Sequence, residues 1–276
     1  MKKYKYIFVI VTYKNGEDLY DFNKSIEKKN IDSKVIIVDN FESESSSNRI
    51  KEISNELAYD YISTNNGGYG SGNNKGMKYA LDNYDFDYLI VCNSDIMISE
   101  FDDSRLETKN YVFGPSIITI DGKRQNPYWV KDSKILKYLM YKGRIKRSYF
   151  LMYVNIIINK VYRELFLMLN RNKIKKVFAV HGAFVGFSKD VVEKLYPVYD
   201  EKMFLYNEEA YLATRLKKEN IICVYYPLIS INHKEDGSTG GKVKNINAIT
   251  TKSYIYYYET YCKKVKKWTC FWFLSS

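Results

Sequence analysis

The chain has 276 residues, 46% hydrophobic and 27% charged, with 28 tyrosines and four prolines; these values suit one large domain or a domain with an insertion, and exclude wholesale disorder. The net charge of +11 is concentrated in residues 131–176, where 13 Lys/Arg face only Asp132 and Glu164. The remainder is close to neutral, so a polyanionic partner is implied at one region.

Short apolar runs alternate with helix-like segments through the first half. Tyr6–Tyr13 is a buried strand, and with only about eight apolar residues before Lys14 it reads as a strand, not a signal peptide. Gly16–Lys29 has helical spacing, Lys34–Asp39 is a second strand, and Glu44–Leu57 is a helix with Ile50, Ile53 and Leu57 on one face. Tyr59–Ser63 is a third strand, Asn73–Asn83 a helix, Tyr88–Cys92 a fourth strand and Tyr111–Ile120 a fifth. Continuous apolar strands alternating with helices predict an α/β fold with a parallel sheet covered on both faces. Residues 130–177 break this rhythm. There Asn155, Asn159 and Arg163 form a narrow polar stripe in an otherwise apolar helix, which is therefore buried in protein or sunk in a membrane interface. Val177–Phe187 reads as a strand, Asp190 and Glu193 as the start of a short helix ending at Pro197, Glu201–Glu219 as largely helical, and Ile221–Tyr226 as a strand. Gly237–Gly241 is a loop and the tail from about Asn247 is helical. The four cysteines, Cys92, Cys223, Cys262 and Cys270, form no CxxC pair, which fits a reducing cytoplasm. No uncharged apolar run reaches the roughly 20 residues of a membrane span.

Ligands of open α/β sheets collect at the carboxyl ends of strands. Polar residues stand there after strand one (Thr12, Tyr13), strand two (Asp39, Asn40) and strand four (Asn93, Ser94, Asp95). A single Asp in such a place is usually a turn or cap residue; several facing one crevice suggest a site. The stretch NNGGYGSGNNKG, Asn65–Gly76, has five glycines and is either a flexible surface loop or a backbone cradle for an anion. It matches neither the dinucleotide-binding fingerprint nor a P-loop. Glu208 and Glu209 stand in an apolar neighbourhood, where one carboxyl with a raised pKa suits general-base work. The two histidines, His181 and His233, are structural residues or ligands to a metal or diphosphate.

In this order, VIVTY, IIVDN, NNGGYGSGNNKG, VCNSDI, GPSIITIDGKRQ, HGAFVGFSKD, DEKMFLYNEEAYLATRL and INHKEDGS resemble the family-2 inverting glycosyltransferases of bacterial surface-polysaccharide synthesis, nearest their rhamnosyltransferase-like branch. The resemblance covers about residues 6–240. It implies a GT-A fold, Rossmann-like with a mostly parallel sheet, plus a basic helical insertion and a C-terminal helix. The corresponding division is 1–129 for the nucleotide-sugar part, 130–177 for the insertion, 178–244 for the acceptor and catalytic part, and 245–276 for the tail.

The same resemblance implies roles. Thr12, Tyr13 and Asp39 line the nucleoside pocket, Asp39 receiving the base N–H; Gly72 and Asn73 close on the nucleotide and Ser94 flanks the donor. Asp95 binds a divalent cation, Mg²⁺ or Mn²⁺, on the donor diphosphate, with His233 beside it. Glu209 is the general base, and His181, Gly182 and Glu208 lie on the acceptor side. The departures are Asn93, where the family carries the first acid of its Asp-x-Asp motif, and Glu209, where it carries Asp. Implied partners are a UDP- or dTDP-sugar and a lipid-linked saccharide acceptor on the inner face of a cell membrane; a homo-oligomer is compatible. The basic segment is a solvated face or docks on an anionic membrane, and no motif supports nucleic acid. A degenerate, sugar-binding scaffold component of a synthesis complex is the alternative to an enzyme.

Overall fold

The computed structural model describes residues 1–235 and 246–263. The expected loop at 237–241 and the tail beyond Lys263, with Cys270, lie outside the described residues. The first half runs β1 (Lys2–Thr12), α1 (Asp18–Lys28), β2 (Ser33–Phe41), α2 (Glu44–Glu56), β3 (Asp60–Asn65), α3 (Tyr69–Asn83), β4 (Tyr84–Cys92), β5 (Ile96–Phe101) and β6 (Tyr111–Thr119). Then follow α4 (Lys134–Ile145), α5 (Tyr149–Asn170), β7 (Lys175–Lys176), β8 (Phe184–Ser188), α6 (Lys189–Leu195), α7 (Glu208–Lys218), β9 (Ile222–His233), α8 (Ile246–Tyr257) and a π-helical turn at Tyr258–Cys262.

The nine-stranded sheet has the order β3-β2-β1-β4-β8-β6-β9-β5, with β7 on β9. β1, β2, β3 and β4 are parallel neighbours, and β6 pairs parallel with β9; β8 and β5 run antiparallel to theirs. The chain moves outward from β1 to β3 and then returns to the other side of β1 with β4. That reversal opens a crevice at the carboxyl ends of β1 and β4.

Alternation along each strand places the core on both faces. Ile7, Val9, Ile36, Val38, Leu89 and Val91 pack under α3, α6 and α7 through Met77, Ala80, Val191, Leu195, Leu212 and Leu216. Phe8, Ile10, Ile37 and Ile90 pack under α1 and α2 through Leu19, Phe22, Ile50 and Ile53. A third cluster joins α4, α7 and α8 through Met140, Tyr141, Ala210, Tyr254 and Tyr257. Serines open α2, α4 and α5: the hydroxyls of Ser43, Ser133 and Ser148 accept from the backbone N–H three residues on, satisfying donors that a first helical turn leaves free.

Several boundaries depart from the expected ones. The glycine-rich stretch is mostly helix, because α3 begins at Tyr69. The strand expected at 177–187 is confined to Phe184–Ser188. The helix expected at 201–219 starts only at Glu208, because Tyr206 and Asn207 both adopt left-handed conformations (φ 70° and 72°). Asp190 does not cap α6; it accepts from Ser188 Oγ and from the Asn110 N–H. The basic segment forms two helices, α4 and α5, the second coinciding with the apolar helix that carries Asn155, Asn159 and Arg163.

Candidate active site

A cavity of about 670 Å³ opens at the β1/β4 crevice. Its floor is made by strand ends: Val11, Tyr13 and Lys14 beyond β1, Asn40 on β2, and Asn93, Ser94 and Asp95 between β4 and β5. The abrupt change from buried strand to polar turn has a topological cause. β4 must end there, and β5 starts at once in order to pair antiparallel with β9, setting Ile96 opposite His233. β9 is thus long enough to bring His233 to Asp95, with Nε2 3.3 Å from Oδ1. Both residues are buried.

The orientation of His233 is fixed by its neighbours. Gln125 Nε2 donates to Glu235 Oε1 (2.7 Å), so the Gln125 carbonyl oxygen faces His233 Nδ1 at 2.7 Å and must accept from it. Tyr69 OH lies 3.2 Å from Asn93 Oδ1 and 3.1 Å from Gly182 O, and the Asn93 amide nitrogen faces His233 Nε2 at 3.3 Å. Nε2 lies between the Asn93 amide and Asp95 Oδ1, 3.3 Å from each. Outer groups that fix a ring tautomer in this way are what metal-binding histidines require.

The opposite wall is the first turn of α7. Glu208 is 6% exposed, and burial, reinforced by the Glu209 charge, pushes its carboxyl up to about 8. Burial also raises Glu209, but the backbone N–H groups of Glu209 and Gly182 oppose that rise; the Gly182 N–H donates to Glu209 Oε1 at 3.3 Å. Backbone N–H groups of Glu208 and Tyr206 act on Glu208 in the same sense. Gly182 is needed for this approach, since a Cβ there would lie 3.0 Å from Glu209 Oε1. His181 is held by Asn126, whose Oδ1 accepts its backbone N–H (2.7 Å) and whose Nδ2 donates to Pro115 O (2.8 Å). Its Nδ1 accepts from the Ala183 N–H. Burial lowers its pKa to about 3, so it is neutral.

Among the described residues the lining carries four carboxyl groups, Asp95, Glu208, Glu209 and Glu235, against one lysine, Lys14, which is itself paired with Glu42 at 3.0 Å. Such a cavity repels a diphosphate unless a cation enters with it. Among the described residues no group of three His, Cys, Asp or Glu side chains forms a complete metal site. Asp95 and His233 nevertheless fit a cation that takes its remaining ligands from phosphate oxygens and water, the usual arrangement for Mg²⁺.

Of the expected residues, Tyr13, Ser94, Asp95, His181, Gly182, Glu208, Glu209 and His233 line this one cavity. Thr12 and Asp39 do not; both are fully buried beneath the wall, and Asp39 Oδ2 accepts from Ser47 Oγ (2.5 Å) and Tyr61 OH (2.8 Å). Gly72 and Asn73 do not close over the cavity either, because they are buried inside α3. At the start of α3, Asn66 Oδ1 takes the N–H of Gly68 and Phe204 O that of Tyr69. Sequence reasoning missed Gln125, Glu235, Tyr69 and Tyr206. Gln125 closes GPSIITIDGKRQ but carries no motif signal of its own, and the others acquire meaning only through contacts distant in sequence.

The fold is that of a GT-A chain. No family model matches the chain. It is 27% identical over 219 residues to the low-salt glycan biosynthesis hexosyltransferase Agl10 of Haloferax volcanii, covering 77% of this chain and 62% of that protein. Among solved structures it is similar to GalNAc-T7 with UDP, GalNAc and Mn²⁺ (TM-score 0.62, 12% identity, 93% of this chain and 48% of that one). It is also similar to S. aureus TarS (TM-score 0.54, 12% identity, 83% and 36%). A third is the mannosyltransferase PcManGT of Pyrobaculum calidifontis with GDP-Man and Mn²⁺ (TM-score 0.50, 11% identity, 84% and 57%). The chain thus spans less than two thirds of each of these proteins.

Proposed function

We propose that the chain is an inverting glycosyltransferase that moves a hexosyl or deoxyhexosyl group from a nucleoside-diphosphate donor to a saccharide hydroxyl. The acceptor is a lipid-linked saccharide of cell-surface polysaccharide synthesis, such as a capsule, and the reducing, cytoplasmic side of the membrane is where it works; the described cysteines are free thiols. The observation that carries the reading is the pairing, across one cavity, of Asp95–His233 with the Glu208–Glu209 turn. The hexosyltransferase name of the Haloferax relative and the UDP, GDP-Man and Mn²⁺ of the similar structures support it.

Asp95 and His233 would hold a divalent cation, Mg²⁺ or Mn²⁺, which neutralises charge on the leaving diphosphate. Asn93 in place of a second acid leaves the site one negative charge lower, and orients His233 instead. Glu209, with the Gly182 N–H on its Oε1, accepts the proton of the acceptor hydroxyl as its oxygen attacks the anomeric carbon. The bond to the diphosphate breaks with its electron pair on the leaving oxygen, and attack from the opposite face inverts the centre. Glu208, its carboxyl raised by burial and by the Glu209 charge, stands beside it on the acceptor side. Neutral His181 and the Gly182 N–H shape the acceptor-side wall.

The test is turnover of UDP-, dTDP- and GDP-sugars with Mn²⁺, as transfer or as slow hydrolysis, with the product anomer read by NMR. Glu209→Gln is expected to lower kcat about 10²–10⁴-fold, and Asp95→Ala to abolish the response to Mn²⁺. Wild-type turnover in both variants refutes these roles. Donor binding without turnover by any pair favours the scaffold alternative.

A further inference from the structure

Helix α5 has its polarity turned inside out. Its polar stripe faces the protein: Asn155 is 3% exposed and donates to Leu136 O (2.5 Å), and Asn159 donates to Asn155 O (3.1 Å). The opposite side presents Phe150 (74%), Tyr153 (60%), Ile157 (57%), Val161 (51%), Leu165 (51%) and Met168 (73%) to the outside. These positions follow one another at intervals of three or four residues, so they form one continuous line along the 22-residue helix, about 33 Å long. Water-facing surfaces of single chains rarely carry an apolar stripe of this extent.

Charge decides what covers it. Lys146 and Arg147 precede α5 and Arg171, Lys173, Lys175 and Lys176 follow it, all exposed, with Lys160 exposed in the middle. The acids within 131–176 do not offset them, because Asp132 is consumed by Lys137 and Lys217 at 2.6 Å each, leaving Glu164 alone. A second copy is a poor occupant. Antiparallel two-fold pairing sets the cations before one helix against those after the other, and parallel pairing sets Lys160 against Lys160. An anionic lipid surface satisfies both features, since phosphates meet the cations and the acyl boundary takes the stripe. Among the described residues no helix is long and apolar enough to cross a membrane, so α5 lies in the plane of the surface.

We propose that α5 is a membrane-docking helix, lying flat on an anionic bilayer with the Phe150–Met168 line in the acyl boundary and the cation groups at its two ends on lipid phosphates. This surface stands independently of the transfer chemistry, and it is tested without donor or acceptor.

The full chain is floated with vesicles of pure phosphatidylcholine and with vesicles carrying about a third phosphatidylglycerol. Wild type is expected to float with the anionic vesicles. A Phe150→Ser/Ile157→Ser/Leu165→Ser/Met168→Ser variant, altered only at exposed positions, is expected to partition about ten-fold less or weaker. Lys146→Gln/Arg147→Gln/Lys173→Gln/Lys175→Gln is expected to lose the preference for anionic lipid. The proposal is overturned if wild type stays at the bottom with both vesicle types, or if the serine variant floats as well as wild type. It is also overturned, in favour of a second copy, if wild type sediments as a dimer without vesicles and the serine variant as a monomer. Amide exchange in wild type guards against a misfolded variant: anionic vesicles should slow exchange within α5, and unchanged exchange there rejects docking.

Discussion

At the scale of single residues, the site depends on groups whose chemistry is set by neighbours rather than by type. Glu208 is the clearest case. Its carboxyl is buried, Oε1 has no hydrogen-bond partner among the described residues, and its pKa is raised from 4.5 to about 8. An acid with a raised folded-state pKa binds protons better folded than unfolded, so stability is lost as pH rises from about 4.5 to about 8. Glu208→Gln removes that penalty: melting curves of variant and wild type are expected to nearly coincide at pH 5. They should diverge by roughly a few kcal/mol in favour of the variant at pH 8. Equal stability at both pH values would place Glu208 in contact with water. The raised pKa of Glu209 makes a kinetic prediction of opposite sense. Because a base must be ionised, the acid limb of kcat should lie above the ordinary glutamate range near 4.3. Gln125 acts through His233. Gln125→Leu keeps the shape but leaves Nδ1 without its acceptor, and calorimetry with UDP present should give Mn²⁺ affinity about 10–100-fold weaker. An unchanged affinity would mean that the ring needs no such support.

At the scale of elements, α3 shows how a correct motif can carry the wrong physical reading. The glycines of Asn65–Gly76 suggest a backbone cradle, yet two of them serve close packing of helix on sheet. A Cβ at Gly76 would lie 2.3 Å from Val9 Cγ1, and one at Gly72 2.9 Å from Val11 Cγ2. Gly76→Ala is therefore an overpacking substitution expected to cost about 1–3 kcal/mol, partly recovered by Val9→Ala in the double variant. No loss of melting temperature in Gly76→Ala would mean that α3 can lift off the strands. The same element marks the limit of what sequence pattern discloses. β1, β2, β4 and α2 were legible because an apolar run or a helical face is a local signal. β5 was not, since Ile96–Phe101 is short and its pairing with β9 is remote in sequence. The late start of α7 was equally hidden, because nothing in Tyr206 or Asn207 announces a left-handed backbone. For the site, strand-end polar residues were readable from topology, and the Gln125–His233 and Tyr69–Asn93 bonds were not, because they join residues 108 and 24 apart.

At the scale of the whole molecule, charge is segregated by function. The excess of +11 lies in the segment of α4 and α5, outside the cavity, while the cavity is rich in carboxyl groups. Among the described residues the basic surface lies away from the cavity, whose lining offers a diphosphate one lysine against several carboxyl groups. Nucleotide binding should consequently be conditional on a divalent cation. A ligand that binds only the folded state stabilises it by about 2.7 kcal/mol at 100 times its Kd. For a chain of this size that corresponds to a rise in Tm of about 5–10 °C. A UDP-sugar with Mn²⁺ is expected to give a shift of that order, and the same nucleotide in EDTA almost none. Mn²⁺ alone should give a small one, because on the proposed reading the described residues offer it Asp95 and His233. Asp95→Asn should reduce the joint shift to the level seen in EDTA, while Lys173→Gln, remote from the cavity, should leave it intact. Equal shifts with Mn²⁺ and with EDTA would show that Lys14 and backbone donors suffice for the diphosphate, and would remove the cation from the account of this site.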